Sequence, residues 1–312
     1  MTDQPAIERQ RLDVDIVCVG FGPAPAGFRA TLSKPSVNAR CLAWLAVFLL
    51  FFIAGPAGRA DEKKAGPVTA VLGALPVEIE MLESKLQDKQ TEKHLNVTFY
   101  TGTLNGRKVV LAVGGVGKVN AAMTATLLLD HFQPAEILFT GVAGGLNPDL
   151  APGDIVLGEK TAQHDRGELT SAGFSPQPTG EGIPLFMTPP ERLLALAETA
   201  SSEAGFDKIK TTRGERLPRV VRGVIVTGDI FVASSAKTAE LRNMFKADAV
   251  EMEGAAVAQV CWRQNVPCLV IRCVSDKADT MAREDFGHFL NAAAANSAKL
   301  TLSMLKLLAN SK

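Results

Sequence analysis

From Gly66 onward, short apolar runs alternate with segments of helical pattern. Runs such as VTAVLGA (68–74) and AEILFTG (135–141) have the length and composition of buried strands. Further strands are predicted near residues 155–158, 220–227 and 268–274, and helices near 78–86, 118–131, 190–204, 236–245, 254–264 and 285–310. Alternation of this kind is typical of an α/β domain.

Two connections stand out within this pattern. Asn105-Gly106 lies between VTFYTGTL and KVVLAVGG and predicts a β-hairpin. Prolines and glycines between residues 173 and 190 predict a long loop, which in a compact enzyme often forms part of a binding edge.

The charge balance and the cysteines narrow the function classes. The chain of 312 residues has 33 basic and 33 acidic side chains, and no basic cluster interleaved with aromatic residues, which argues against nucleic-acid binding. Its five cysteines form no C-x-x-C pair and have no histidines at metal-binding spacing, so no metal site is predicted. Cysteines in apolar stretches are expected to act as small core side chains.

A separate apolar segment precedes the α/β pattern. Residues 41–54 (CLAWLAVFLLFFIA) carry no charge, and GPAGRA and DEKK follow them. The segment is shorter than the roughly 20 residues of a membrane span but fits the apolar core of a signal peptide, with Gly58 and Ala60 before a cleavage point at Asp61. We expect residues 41–60 to direct export or to associate the amino terminus with a membrane; the alternative is a cytoplasmic protein.

Residues 14–28 (VDIVCVGFGPAPAGF) resemble the glycine-rich turn of a dinucleotide-binding domain through Gly20, Gly22 and Gly27. The second strand of such a unit is missing, as is the acid about 20 residues later that would bind a ribose. A flavin or nicotinamide oxidoreductase would rest on this stretch alone, and no cofactor is predicted. We expect residues 1–40 to be a flavoprotein-like fragment or an extension from a misplaced start, with the true start near Val37.

Glycine-rich turns and acidic residues follow the predicted strands. LGALP, GGVGK (114–118) and TGVAGG (140–145) each follow an apolar run, and ligands gather at the carboxyl ends of strands in open α/β sheets. Glu78, Glu251, Glu253 and Asp276 also lie near strand ends, where a buried carboxylate must be paired or used. For Glu251 and Asp276 the residues alone leave a structural role, as a hydrogen-bonded acid or a cap, equally open.

A set of sequence blocks resembles one enzyme family. The blocks are LGALPVEIEML, GVGKVNAA, TGVAGGL with PGDIVL, VTGDIFV, ADAVEMEGAAVAQVC and VPCLVIRCVSDKAD. In this order they closely resemble the 5'-methylthioadenosine/S-adenosylhomocysteine nucleosidases of the purine nucleoside phosphorylase superfamily, over roughly residues 67–310. The resemblance implies a single three-layer α/β/α domain with a mixed central sheet, here residues 66–312, and a homodimer.

The resemblance also implies hydrolysis of the N-glycosidic bond between adenine and a 5'-thio-substituted ribose. Asp276, in the S-D match, would protonate adenine N7, and Glu78 would activate the attacking water. This chemistry suits buried carboxyls, because adenine leaves poorly as an anion and burial raises a carboxyl pKa. Nearby carboxylates can also stabilise the oxocarbenium character of the sugar.

Further matched positions imply contacts with the substrate. Glu253, in the E-M-E match, would hold the ribose hydroxyls, with Met252 packed beside the sugar. Phe231, in the G-D-x-F match, would stack on adenine, and the backbone of Val232 would bond the base edge. Gly144 would line the ribose and water site.

The choice between water and phosphate as nucleophile follows from the loops. Phosphorylases of the superfamily hold phosphate with arginines in glycine-rich loops, whereas here only Lys118 lies near such a turn. Hydrolysis is therefore favoured, and phosphorolysis is the alternative. Pro76 before Glu78, and Val142 in place of a frequent serine, depart from the family pattern. They keep open altered substrate preference, slower chemistry, or a nucleoside-binding protein with weak turnover.

Overall fold

The computed structural model describes residues 66–178, 180, 182–211 and 214–311. The predictions for residues 1–40 and 41–60 lie outside the described residues. The strands are β1 (Thr69–Gly73), β2 (Gln87–His94), β3 (Val97–Leu104), β4 (Arg107–Val113), β5 (Glu136–Gly145), β6 (Ile155–Gln163), β7 (Gly167–Thr170), β8 (Gly173–Pro176), β9 (Ile209–Thr211), β10 (Gly214–Arg216), β11 (Val220–Thr227), β12 (Ala249–Glu251) and β13 (Cys268–Asp276). The helices are α1 (Pro76–Ser84), α2 (Lys118–Phe132), α3 (Glu191–Ser201), α4 (Ser235–Phe245), α5 (Gly254–Gln264) and α6 (Ala282–Asn310).

A mixed nine-stranded sheet has the order β12-β11-β6-β13-β5-β1-β4-β3-β2. β1 pairs in parallel with β4 and β5, and β13 pairs in parallel with β5 and antiparallel to β6. β12 pairs with β11 and also antiparallel to β5, so β12, β11, β6, β13 and β5 form a closed ring. The parallel strands β1, β4, β5 and β13 end at one edge of the sheet, where a site is expected.

Helices cover both faces of the sheet because alternate strand residues point to opposite sides. Val71 and Leu138 pack in one core with residues of α1, α3 and α6. Leu72 and Phe139 pack in the other core with residues of α2 and α5. The predicted three-layer α/β/α domain with a mixed central sheet is confirmed. Within the described residues, no helix combines the length and apolarity needed to cross a membrane.

The segment TGVAGG (140–145) is not the turn that its glycines predict. It continues β5 to Gly145, and all of β5 is buried. The glycines serve packing: a Cβ at Gly141 would lie 2.7 Å from Glu78 Oε1, and one at Gly144 would lie 2.9 Å from Asp276 Oδ1. The strand therefore runs directly behind two predicted site carboxyls.

The other strands and helices differ from the predictions in smaller ways. β2 was not predicted, because its sequence QDKQTEKH lacks an apolar face and every residue but His94 is exposed. α1 begins at Pro76 and α6 at Ala282, a few residues before the predicted starts. The predicted loop 173–190 contains β8, which pairs with β7 in a separate hairpin.

Candidate active site

A cavity of about 610 Å³ lies at the edge where β1, β5, β12 and β13 end. Most of the residues predicted for the site line it, namely Glu78, Gly144, Phe231, Met252, Glu253 and Asp276. Val232 lines an adjoining recess of about 30 Å³, which shares Gly144, Phe231 and Asp276 with the cavity. The fold thus brings all seven predicted site residues together. The loop 173–190 contributes none of the cavity lining among its described residues.

Glu78 lies in the first turn of α1, and its carboxylate points back toward β1 and β5. The N–H groups of Ala74 and Leu75 donate to Oε2 at 2.6 and 2.9 Å, and that of Val142 donates to Oε1 at 3.0 Å. Burial raises the pKa of Glu78, although Arg272 and these three amides oppose the shift. Pro76 opens the helix, a position where proline is favoured because no N–H partner is needed.

Asp276 ends β13 and is 2% exposed. The register with β5 shifts between Val274 and Asp276, and an extra residue of this kind re-aims the next side chain. Ser275 Oγ donates to Oδ2 at 2.8 Å, and the N–H of Ala278 donates to Oδ1 at 2.8 Å. Burial raises the pKa of Asp276 against these two hydrogen bonds, which favours the protonated acid.

Glu253 follows β12 and reaches across to the loop after β4. Its Oε1 accepts a hydrogen bond from the N–H of Gly117 at 2.9 Å. Burial, reinforced by the neighbouring Glu251, raises the pKa of Glu253 to about 7. The loop 114–118 thereby fixes a carboxyl that changes charge close to neutral pH.

Arg272 is a central residue that the sequence reasoning missed. It is 1% exposed, and its Nη2 and Nε donate to Glu251 Oε2 at 2.7 and 3.2 Å. Its Nη1 donates to the carbonyl of Phe139 at 3.0 Å, and the guanidinium lies 4.2 Å from that ring's centroid. The available signal was a single charge within the apolar run CLVIRCV.

Glu251 serves as the partner of that arginine. It also accepts hydrogen bonds from the Thr227 hydroxyl and from the N–H groups of Glu253 and Gly254, the last two at 3.1 and 2.7 Å. With its acceptors occupied in this way, Glu251 fits the structural alternative that its sequence position left open.

The start of α6 supplies a further wall that the sequence did not predict as part of the site. Phe231 meets the edge of Phe286 with ring centroids 5.9 Å apart and planes at 86°. The guanidinium of Arg283 lies 5.2 Å from the Phe231 ring centroid. Phe286 and Leu290 line the cavity beside Phe231, so this side of the cavity is apolar and aromatic.

Lys118, the basic residue near a glycine-rich turn, is already paired. Its Nζ donates to Asp165 Oδ1 at 2.6 Å and to Gln163 Oε1 at 3.2 Å. The neighbouring His164 is 2% exposed, and burial lowers its pKa. Within the described ranges, no group of three or more His, Cys, Asp or Glu side chains is arranged to hold a metal ion.

Comparison with known proteins identifies relatives along the described domain. Residues 68–306 match the sequence profile of the phosphorylase superfamily. A 5'-methylthioadenosine/S-adenosylhomocysteine nucleosidase of Mycobacterium tuberculosis (strain CDC 1551 / Oshkosh) is 40% identical over 248 residues, covering 76% of this chain and 96% of that protein.

Solved structures agree with this sequence similarity. The Neisseria meningitidis nucleosidase of the same name, in complex with methylthio-immucillin-A, is 36% identical with a TM-score of 0.70, covering 78% of this chain and 100% of that one. The futalosine hydrolase of Helicobacter pylori strain 26695 is 33% identical with a TM-score of 0.68, covering 77% and 98%. The chain therefore belongs to the 5'-methylthioadenosine/S-adenosylhomocysteine nucleosidase family of the phosphorylase superfamily.

Proposed function

We propose that this protein hydrolyses the N-glycosidic bond of 5'-methylthioadenosine, S-adenosylhomocysteine or a related adenine nucleoside and releases adenine. The main supporting observation is that two buried carboxyls, Glu78 and Asp276, face one cavity from opposite ends of the glycine segment of β5. Gly141 and Gly144, the residues behind them, are three positions apart, or about 10 Å along an extended strand. The two carboxyls therefore meet β5 at different points, as an acid that acts on the base and a base that acts on water require.

Asp276 is the proton donor in this proposal. Its raised pKa keeps a proton available, and transfer of that proton to adenine N7 lets the base leave as a neutral molecule. The hydrogen bonds from Ser275 and Ala278 hold the carboxyl in one orientation, which lowers the entropic cost of reaching the reactive geometry.

Glu78 is the base that receives a proton from water. Its Oε1 accepts one amide hydrogen bond and its Oε2 accepts two. Since each carboxylate oxygen has two lone pairs, Oε1 retains one for a water molecule. The raised pKa of Glu78 makes it a stronger base than a solvated glutamate.

The remaining residues hold the substrate. Phe231 offers an aromatic face to adenine and the backbone of Val232 a partner for the base edge, while Met252 and Gly144 line the sugar. Glu253 accepts hydrogen bonds from the ribose hydroxyls. Its carboxylate form also stabilises the positive charge that develops on the ribose ring.

The few cationic side chains near the cavity favour water over phosphate as the nucleophile. Among the described residues lining the cavity, Arg283 is the one cation, and it lies against Phe231. Lys118 is held by Asp165 and Gln163. Phosphate would need matched cationic donors, so phosphorolysis is disfavoured.

The proposal also includes the oligomeric state of the protein and the role of its residues 41–60. Val116 and Phe231 line the cavity yet are 46% and 36% exposed, and Ile230 and Met281 are 52% and 49% exposed. Exposed apolar side chains around a cavity mouth support a homodimer, which light scattering tests. The composition of residues 41–60 supports export or membrane association, which cell fractionation tests.

A substrate panel tests the reaction. Methylthioadenosine, S-adenosylhomocysteine and other 5'-substituted adenosines are each incubated with and without phosphate, and adenine and the sugar product are quantified. Equal rates and a free 5'-substituted ribose are expected under both conditions. A ribose 1-phosphate product would establish phosphorolysis, and tight binding without any adenine release would leave a nucleoside-binding protein.

A further inference from the structure

A second cavity, of about 230 Å³, lies at the other end of β13. Cys261, near the end of α5, and Cys268, the first residue of β13, both line it, together with Thr161, Met187 and Trp262. Cys268 and Asp276 are the first and last residues of the same extended strand, so they are roughly 26 Å apart. This cavity is therefore separate from the candidate active site.

The backbone brings the two cysteines together. Asn265 adopts a left-handed conformation with φ of 55°, and the N–H of Val266 donates to the carbonyl of Cys261 at 3.0 Å. The chain reverses at this turn and enters β13 at Cys268. Both thiols are free; Cys261 is 1% exposed and Cys268 is 9% exposed.

The cavity also offers an unused polar group. Thr161 Oγ1 is buried and, within the described part of the chain, has no hydrogen-bond partner. Most of the other lining is apolar or sulfur-bearing, including Met187 and Trp262. A small neutral molecule with one hydroxyl group and a polarisable sulfur suits such a lining better than an ion does.

We propose that Cys261 and Cys268 are a reactive dithiol, which a small neutral disulfide entering this cavity oxidises to an intramolecular disulfide. The more exposed Cys268 attacks first as a thiolate. It forms a mixed disulfide with one half of the reagent and expels the other half as a thiolate, which takes up the proton of Cys261. Cys261 then attacks the Cys268 sulfur as a thiolate and expels the second half as a thiolate, which takes up the proton that Cys268 released. Two thiols and one reagent disulfide become one protein disulfide and two reagent thiols, with two electrons passing to the reagent.

The order of attack follows from the surroundings of the thiols. A hydrogen bond to Cys268, together with burial, raises the pKa of the Cys261 thiol well above its usual value. A thiol that remains protonated is a poor first nucleophile. It can act in the second step because the thiolate expelled in the first step removes its proton.

Cys273 provides an internal control. It is fully buried, and its thiol donates to the carbonyl of Gly153 at 3.2 Å. Burial raises its pKa also, and it does not line the second cavity. It should stay reduced in the folded protein.

Peptide mapping tests the proposal on the folded full-length chain. The folded chain is treated with hydroxyethyl disulfide, the reagent is removed, and the chain is then denatured in iodoacetamide and digested with trypsin without reduction. Trypsin separates Cys261, Cys268 and Cys273 into peptides 247–263, 264–272 and 273–277. We expect peptides 247–263 and 264–272 to appear as one cross-linked species, two hydrogens lighter than their sum, and peptide 273–277 to carry the blocking group.

Variants sharpen the result. Cys261→Ser should trap one hydroxyethylthio group on Cys268, Cys268→Ser should leave Cys261 unmodified, and Cys273→Ser should cross-link like the parent chain. Stable separate adducts on both cysteines of the parent chain, or cross-linking only after denaturation, would overturn the proposal. The cross-linked peptide and the adducts are measured by mass, so neither result depends on whether the protein cleaves nucleosides.

Discussion

Asp276 and Glu78 are both buried carboxyls, but their partners differ. Asp276 accepts hydrogen bonds from one hydroxyl and one amide, whereas Glu78 accepts from three amides and is attracted by Arg272. Amide donors and a cation favour the ionised form. The contrast suits an acid at Asp276 and a base at Glu78, because paired roles require environments that separate the two pKa values.

Asp276→Asn and Glu78→Gln should each lower the rate of adenine release by about 10²- to 10⁴-fold, since each removes one proton-transfer group. Substrate binding should persist, because neither change empties the cavity. Single-turnover assays and calorimetric titration measure the two quantities. The matched control is Glu284→Gln, which neutralises an exposed acid in the first turn of α6; a similar loss there would contradict the assignment.

The raised pKa of Glu253 predicts a pH dependence of stability. Below its unfolded pKa the residue is protonated in both states. As pH rises toward its folded pKa of about 7, the unfolded chain ionises first, so the folded state loses up to about 3 kcal/mol of relative stability. Urea unfolding of the substrate-free protein at about pH 5 and pH 8 should show a larger loss in the parent than in Glu253→Gln. Equal losses would show that Glu253 titrates normally.

Substitutions of Arg272 and Arg222 compare how much a buried and an exposed ion pair contribute to the free energy of unfolding. Arg272→Met leaves Glu251 without its cation in the core and should lower the free energy of unfolding by about 3–5 kcal/mol. Arg222→Met breaks an exposed pair with Glu191 and Glu198 and should lower the free energy of unfolding far less, because solvent screens an exposed pair. Chemical denaturation compares them; similar losses would contradict the central role of Arg272.

Sequence reasoning found the carboxyls more readily than the arginine. Asp276 and Glu253 lie at the ends of apolar runs, where burial and access to a ligand coincide. Arg272 lies inside such a run, and only the tertiary structure shows that Glu251 approaches it from β12. A pairing between distant strands leaves no local pattern.

At the level of elements, the side chains that pack against β5 limit which residues this strand can contain. Gly144→Ala would place a Cβ 2.9 Å from Asp276 Oδ1 and 3.0 Å from Ala278 Cβ. A displacement of this carboxyl by about 1 Å should lower turnover by on the order of 10²-fold, and overpacking should cost about 1–3 kcal/mol.

Gly287→Ala in α6 is the corresponding control. A Cβ there meets nothing within 4 Å, so helix propensity should raise stability by about 0.5–1 kcal/mol. Thermal unfolding and adenine release should therefore separate the two alanine variants. Unchanged activity in Gly144→Ala would show that Asp276 does not need its present position.

Elements with a strong apolar pattern were predictable, and exceptions have identifiable causes. β1, β13 and the central helices follow their periodicity. TGVAGG was misassigned because glycine usually interrupts a strand, whereas here Glu78 and Asp276 occupy the space of the missing side chains. β2 was missed because one polar edge strand carries no alternation.

At the scale of the whole molecule, the described domain corresponds to complete relatives. The aligned region covers 96% of the Mycobacterium tuberculosis nucleosidase. A chain beginning at Gly66 should therefore fold and release adenine with the kcat/KM of the full chain. Circular dichroism and kinetics compare the two forms. Loss of folding in the shorter chain would show that the domain boundary predicted at residue 66 is wrong.

The closed ring has a consequence for self-association. Because β12 also pairs with β5, the described nine-stranded sheet has β2 as its one terminal strand outside the closed ring. An open strand is a template for pairing with other chains, and charges suppress it. Asp88, Lys89, Glu92 and Lys93 are exposed along β2. The polarity that makes this strand hard to predict thus protects the open edge of β2 against fibril-like growth.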